Sequence, residues 1–471
     1  MEAVGVPVRY VPVRCCPKKA PCPTCGKLGR RKQVLPPRWV RTIAYKQMVY
    51  LEITCAEYRA WCDCCKTFRS HPEGVGPRCR YDNRVREAVL ARLVEDGMSV
   101  EGLRKAMQRD FLLDLSEGFV YDCLHEKVAQ LNMAEHRQWV VEHFRGTLCV
   151  DELHLGRYTL LLATDPQGDF PVAFALVEHN DQAHMRRFLE NLKRQGLSPE
   201  VVITDGSDLY PAVLAELWPS AEHQLCVFHV MQDLNQHVLD ALKRLRREMS
   251  RRGNRGRRRK RGRPGRAARA YRKRAKQTLK DKAHFVFKHR YLLVTREEKL
   301  SDVQRERLRT MFAYLPQLRT LRTFVLRLHA LFETEQSKHQ AWCRRAALVN
   351  NPHFQAVPEL ALALKMLAPA RFAKMVAFLN SPVAERLRTN NHVERTNRKL
   401  RYYEKVRYKW RRPRGIIRFL LLAIDRWWRE QPLHAARSPA ARPPTQRRKI
   451  QRRKPSTQAN HSRNPAYRLS G

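Results

Sequence analysis

Three carboxylates stand where a pair of hard divalent cations could be held against a phosphodiester. Asp151 ends the apolar run TLCVD and Asp205 ends the run VVITD. Glu394 lies in NNHVERTNRK, a polar, basic stretch that reads as a helix. Mg²⁺, or Mn²⁺ in its place, takes oxygen ligands and keeps several waters, so two or three carboxylates suffice for two ions. With the ions roughly 4 Å apart, one activates an attacking water or 3′-hydroxyl and the other stabilises the leaving oxygen. In this assignment Asp151 bridges both ions, flanked by Asp205 and Glu394. Helical spacing sets Asn390 or Asn391 and Asn397 or Arg398 on the face of Glu394, with Arg395 a further accessory candidate. Those amides and cations would touch the phosphate backbone rather than the metals.

Each acid also has a plainer reading. Asp151 could face solvent at a strand end, and Glu152 points to the opposite face and is the weaker candidate. Asp205, in TDGS, could shape a turn. Asp208 reads better as an acid at a helix N-terminus, and Glu394 could be a surface ion pair with Arg398. Cys226 and His229 in LCVFH are either half of a zinc site or a buried strand-end pair. Trp342, Trp410, Trp427 and Trp428 could stack on bases, although tryptophans at helical spacing usually belong to a core.

The elements that must position these residues follow from periodicity. GTLCVDELHL, RYTLLLATD and FPVAFALVEH predict three strands with tight polar breaks. DQAHMRRFLENLKRQG predicts an amphipathic helix ending at Gly196. PEVVITD, nearly all apolar, suits a strand covered on both faces. A helix over SDLYPAVLAELW and a fifth strand over HQLCVFHV follow. Three strands, helix, strand, helix, strand is the order of the ribonuclease H-like α/β fold. There the first and fourth strands are neighbours, which would set Asp151 and Asp205 across from each other.

The remaining chain is read by composition. Of 471 residues, 92 are Lys or Arg and 45 Asp or Glu, a net charge of +47. Such a surface attracts polyanions, nucleic acid first among them. No run of about 18 apolar residues exists to span a membrane, and the N-terminus lacks the apolar stretch of a signal peptide. The thirteen cysteines, an odd count, therefore point to metal binding and free thiols in a cytoplasmic, nucleoid-associated protein rather than to disulfides. Eight of them precede residue 66. CPTCG and CDCC, with a strand-rich stretch between, predict a zinc ribbon over residues 1–80 with one structural Zn²⁺ on Cys22, Cys25, Cys62 and Cys65. Cys64 could replace either later ligand. Residues 81–140 hold three short helical patterns, with Ser99 and Ser116 as N-caps. They fit either a helix-turn-helix unit or a linking bundle. The core's first part occupies 141–232. A basic tract and an α-helical insertion fill 233–385, the tract REMSRRGNRGRRRKRGRPGRAARAYRKRAKQ being expected to stay unfolded away from DNA. Final helices over 386–430 carry Glu394, and 431–471 is an unfolded basic tail.

CVDELHLG, VVITDGS, CVFH and TNNHVERTNRKLR, following CPTCG and CDCC, make the chain resemble the DDE transposases of bacterial insertion sequences, most closely the ISL3 type, over roughly residues 15–430. The resemblance implies an acidic triad of Asp151, Asp205 and Glu394. It also makes Cys226 and His229 a Cys-x-x-His signature that recurs after the second acid in several such families. The expected partners are double-stranded DNA, both terminal inverted repeats and target, with the protein acting as a homo-oligomer such as a dimer. The activity implied is metal-dependent cleavage and strand transfer. The alternative is a catalytically inactive or regulatory DNA-binding protein of the same descent. The long Arg-rich tract, the basic tail and NNHVERTNR, where many members have Asn-Gly-x-x-Glu-Gly, depart from the family pattern.

Overall fold

The computed structural model describes residues 7–62, 64–252, 266–406 and 412–430. Its N-terminal module has six strands: β1 (Val8–Cys15), β2 (Lys19–Pro21), β3 (Leu28–Val34), β4 (Arg38–Thr42), β5 (Met48–Cys62) and β6 (Cys65–Arg69). The β-branched and aromatic residues of MVYLEITCAEYRAWC favour extended backbone, and β5 runs through all of them. Its first half lies between parallel β1 and antiparallel β4, its second half between antiparallel β3 and β6. Two hairpins, β2–β3 and β5–β6, carry the cysteine pairs at their turns.

Helices α1 (Asn83–Leu90), α2 (Val100–Phe111) and α3 (Glu117–Ala129) follow. The caps fall where the sequence puts them: the Ser99 and Ser116 hydroxyls accept hydrogen bonds from the N–H groups of Gly102 and Phe119. A fourth helix, α4 (Met133–His143), has no counterpart in the pattern reading. It buries only His136, Trp139 and Val140, too short a stripe to stand out.

The central sheet comprises β7 (Thr147–Leu155), β8 (Tyr158–Asp165), β9 (Phe170–Val177), β10 (Val201–Thr204) and β11 (Glu222–Leu225), with α5 (Gln182–Arg194) and α6 (Pro211–Leu217) between the later strands. Strand order is β11-β10-β7-β8-β9. β7, β8 and β9 are antiparallel, whereas β7, β10 and β11 run parallel. The expected neighbours, first and fourth strands, do pair. The fifth strand is shorter than expected. It stops at Leu225, and the apolar run that suggested its continuation becomes the buried stripe of α7 (Val227–Arg252), with Val227, Val230, Met231 and Leu234 in the core. Strand and helix periods overlap over so few residues that the pattern cannot separate them.

The insertion continues with α8 (Arg266–Lys288), α9 (Asp302–Tyr314), α10 (Leu318–Leu331), α11 (Lys338–Val349), α12 (Pro352–Gln355), α13 (Pro358–Met366) and α14 (Pro369–Met375) around an apolar core of its own. Part of the tract expected to be unfolded is helical: 247–252 finish α7 and 266–277 begin α8. Ala, Arg, Lys and Gln are strong helix formers, so a lack of apolar residues did not preclude a helix. Residues 253–265 of that tract lie outside the described residues, as do the expected tail, 431–471, and Trp410. Buried Gln224 donates to the Met375 carbonyl (3.0 Å) and accepts from the Phe378 N–H (2.7 Å), so the segment after α14 covers the free edge of β11.

The chain returns to the sheet with α15 (Asn391–Val406) and α16 (Pro413–Arg429). Alternation along β7 then sorts its residues. Leu148 and Val150 pack in the layer with α4, α5 and α6, while Cys149, Leu153 and Leu155 pack with Val393, Leu400, Ile416 and Leu420 of α15 and α16. α16 also reaches the helical module, where Phe419 and Leu422 join the core of α1, α2 and α3. Among the described residues no helix is long and apolar enough to cross a membrane.

Candidate active site

Parity along the strands decides which side chains meet. Asp151 shares its parity with Cys149 and Leu153, so it faces α15, and Glu152 faces the opposite layer. On β10, Ile203 lies on the α15 side and Val202 on the other, which sends Asp205 toward α15 as well. The parallel ladder pairs Ile203 with Cys149, and extending that register by two residues sets Asp205 across from Asp151. One detail differs from expectation. Asp151 is not at a strand end but midway along β7, opposite Leu162 of β8. The carboxylate is reachable because β10, the neighbour on its other side, ends at Thr204.

Glu394 arrives in the first turn of α15. Asn390, wholly buried, seats that turn: its side-chain amide donates to the Val150 carbonyl (2.9 Å) and its N–H to the Cys226 thiol sulfur (3.2 Å). Seven residues later Asn397 donates to Asp151 Oδ2 at 2.7 Å. Both amides were expected to meet phosphates. The structure turns them inward, because 392, 393, 396, 397 and 400 form the buried stripe of α15. Asn391, Arg395 and Arg398 stay on the exposed side. Arg395 reaches Asp169 in the β8–β9 turn (3.3 Å), as does His392 (2.9 Å), and so pins the same helix from outside.

Cys226 is the hinge between β11 and α7, its N–H donating to the Thr204 carbonyl at 2.7 Å. His229 therefore lies in the first helical turn rather than on a strand. Its Nε2 is 3.7 Å from Glu394 Oε1, and the ligating atoms of Cys226, His229 and Glu394 lie within 4.8 Å of one another. No pairing of Glu394 with Arg398 occurs among the described ion pairs. Asp205 does shape its turn, its Oδ1 accepting from the Ser207 N–H at 2.9 Å. Asp208 is exposed and precedes a helix that starts only at Pro211.

The electrostatics are those of crowded anions. Burial, reinforced by the charge of Asp205, pushes Asp151 up to about 6. Burial and the same neighbour push Glu152 up to about 7. The Cys226 thiol first, and then the charges of Glu394 and Asp151, raise His229 to about 9. Glu394 Oε1 and Asn397 Oδ1 are buried acceptors without a hydrogen bond. Buried carboxylate and amide oxygens with unsatisfied lone pairs suit hard divalent cations.

In the N-terminal module the thiols of Cys22, Cys25, Cys62 and Cys64 lie within 4.8 Å of one another. Cys64, not the expected Cys65, completes the group. Cys62 and Cys65 are cross-strand partners in the β5–β6 hairpin, so Cys64 occupies the turn that faces Cys25, at 3.4 Å. Cys65 stays beside the cluster, 3.5 Å from Cys22. Four sulfurs around Zn²⁺ are about 3.8 Å apart along each tetrahedral edge. The Cys22–Cys64 separation, 3.6 Å, is close to that. Backbone N–H groups of Cys25 and Thr24 draw the Cys22 thiol down to about 6, toward the thiolate that a metal needs.

The tryptophans divide as core residues do. Trp428 is buried against Trp139 and His136, and Trp342 packs edge-on to Phe372. Trp427 lies under the Lys399 ammonium, 4.0 Å from its ring centre. The pinning role of Asn390 and Asn397 is what sequence reasoning missed. Its signal was present: two amides bracket Glu394 at helical spacing beside Val393, on a stripe that must face the sheet.

A family model for a transposase, the DDE type of the ISL3 group, matches residues 148–414, more than half of the chain. No curated protein matches it.

Proposed function

Since the chain belongs to the ISL3-type DDE transposases, we propose that it cuts DNA at the ends of an insertion element and joins those ends to a target. Asp151, Asp205 and Glu394 are the acids of this reaction, on a core read as ribonuclease H-like, a reading that the pairing of the first and fourth strands supports. The support that weighs most is that Asp151 and Asp205, 54 positions apart in sequence, lie on the α15 side of neighbouring strands, with Glu394, 189 positions further on, in the first turn of that helix. Two Mg²⁺ or Mn²⁺ ions bound there supply an activated nucleophile and a stabilised leaving oxygen. The chain's own residues do the rest. Asn397 fixes one oxygen of Asp151, Asn390 holds the turn that brings Glu394, and His229 stands beside Glu394 as the nearby cation. Exposed Arg398 and Asn391 are placed to meet phosphate oxygens. The β1–β6 module, with Zn²⁺ on its cysteines, and the α1–α3 unit bind the terminal repeats, and a dimer brings two ends together.

The test uses the full chain, Mg²⁺ and a labelled duplex carrying the inverted repeats that flank the coding sequence. Glu394→Gln retains duplex binding and loses both cleavage and joining. Cleavage persisting in that variant refutes the triad. Binding without cleavage by the wild type favours the regulatory alternative.

A further inference from the structure

The insertion carries a basic helix whose exposed half is unlike the rest of the protein. α8 is 23 residues long, and its last third packs through Leu279, Ala283 and Val286. From Arg266 to Thr278 every described side chain is exposed, including Ala267, Ala270, Ala275 and Tyr271. A helix exposed on all sides gains nothing from tertiary burial. This half is also self-repelling. Residues 266–280 contain seven Lys or Arg and no acid. Arg269 with Lys273, and Lys276 with Lys280, are like-charged neighbours four apart. Arg266 and Arg269 sit at the N-terminal end, where the helix dipole disfavours cations. Among the described residues, Arg266, Arg269, Lys273, Arg274, Lys276 and Lys280 have no ion-pair partner.

The arrangement of these cations is ordered. Arg266, Arg269, Lys273, Lys276 and Lys280 follow one another at spacings of three, four, three and four, which draws a single stripe along one face. The stripe continues the packed face, since Lys276 and Arg269 lie seven and fourteen residues before buried Ala283. At Leu279 the same face changes from apolar to basic, and so from meeting protein to meeting a polyanion. At 1.5 Å per residue the stripe is about 21 Å long. Phosphates follow one another every 3.4 Å along each strand of a duplex, so about six of them face it.

We propose that the Arg266–Lys280 face of α8 is a second DNA-binding surface, which lies along the phosphate backbone of duplex DNA without reading its sequence. The inference rests on the reading of the protein as one that acts on DNA, and it goes beyond it by assigning a contact to an element outside the site. The test compares full-length wild type with R269A/K273A/K276A on a 40-base-pair duplex of unrelated sequence, at several salt concentrations. Alanine is the better helix former, so the variant keeps its helix, which circular dichroism checks. Losing three phosphate contacts lowers the slope of log affinity against log salt by about 2.7. An unchanged slope overturns the proposal. So does a variant that keeps its DNA slope but loses binding to single-stranded RNA or to vesicles of anionic lipid. E394Q, binding DNA with the wild-type slope, keeps this result separate from the fate of the triad.

Discussion

Replacing Asp151 by Asn should raise the stability of the protein while it abolishes the chemistry. The Asp151 carboxyl has an ordinary pKa of 3.8 and is held near 6 in the fold, first by burial and then by the charge of Asp205. The folded state therefore holds its proton more tightly than the unfolded chain. That contribution to stability is complete below pH 3.8 and is lost as pH rises through 6. At pH 7.5 the folded protein carries an ionised carboxylate it would rather not. The gap from 3.8 to about 6, at 1.36 kcal/mol per pKa unit, sets the penalty at about 3 kcal/mol. Partial solvent contact brings the working range to about 1–3 kcal/mol. Asn keeps the shape and can still accept from Asn397, so Asp151→Asn removes the charge and little else. At about 2 cal/mol/K of unfolding entropy per residue, a chain of 471 residues shifts by about 1 °C per kcal/mol, so the melting temperature should rise by about 1–3 °C at pH 7.5. The advantage should shrink to about half at pH 5, where the wild type is partly protonated. Scanning calorimetry in Mg²⁺-free buffer, without a chelator that would strip zinc, measures it. Adding Mg²⁺ should raise the wild-type transition and leave the variant where it was. A variant that melts at or below the wild type at pH 7.5 refutes the charge-crowding argument, whatever its activity.

Three other substitutions, at two sites, test the remaining assignments. Asn397→Ala frees Asp151 Oδ2 and should lower the cleavage rate by about 10–100-fold at fixed Mg²⁺, the usual cost of losing a ligand's supporting hydrogen bond. Higher Mg²⁺ should restore part of the rate with DNA affinity unchanged. A variant with the wild-type rate and Mg²⁺ dependence shows that the amide does not position the acid. In the N-terminal module, Cys64→Ser should drop zinc content well below one equivalent by metal analysis of the purified protein, while Cys65→Ser should keep it. The reverse pattern returns Cys65 to the ligand set.

What could be read from the residues was the order of elements, and with it the neighbourhood of the acids. TLCVD and VVITD are apolar enough to be interior strands, and the Ser99 and Ser116 caps are local signals with a local cause. Side-chain direction was less legible. Asn390 and Asn397 look like surface amides in a basic stretch until the buried stripe of α15 is known, and that stripe is set by contacts with β7 more than 200 residues earlier. The choice between Cys64 and Cys65 depends on which residue pairs across a hairpin and which forms its turn. The helical flanks of the Arg-rich tract were missed for another reason. Charge density argues against a core but not against a helix.

The hydrogen bond from the Val227 N–H to the Arg388 carbonyl, 2.8 Å, closes the neck of the insertion. Cys226 and Asn390 are 164 positions apart along the chain. Were that segment a random coil, bringing its ends together would cost about 2.5 kcal/mol more entropy than a ten-residue link. Because the segment has its own core, its folding does the closing, and Glu394 is presented at high effective concentration to two acids already fixed on the sheet. The third carboxylate is thus tethered by a folded body rather than a loop. Cavities opened around Phe324 or Phe372, deep in the core of that body, would reduce the local concentration of Glu394 without touching the site.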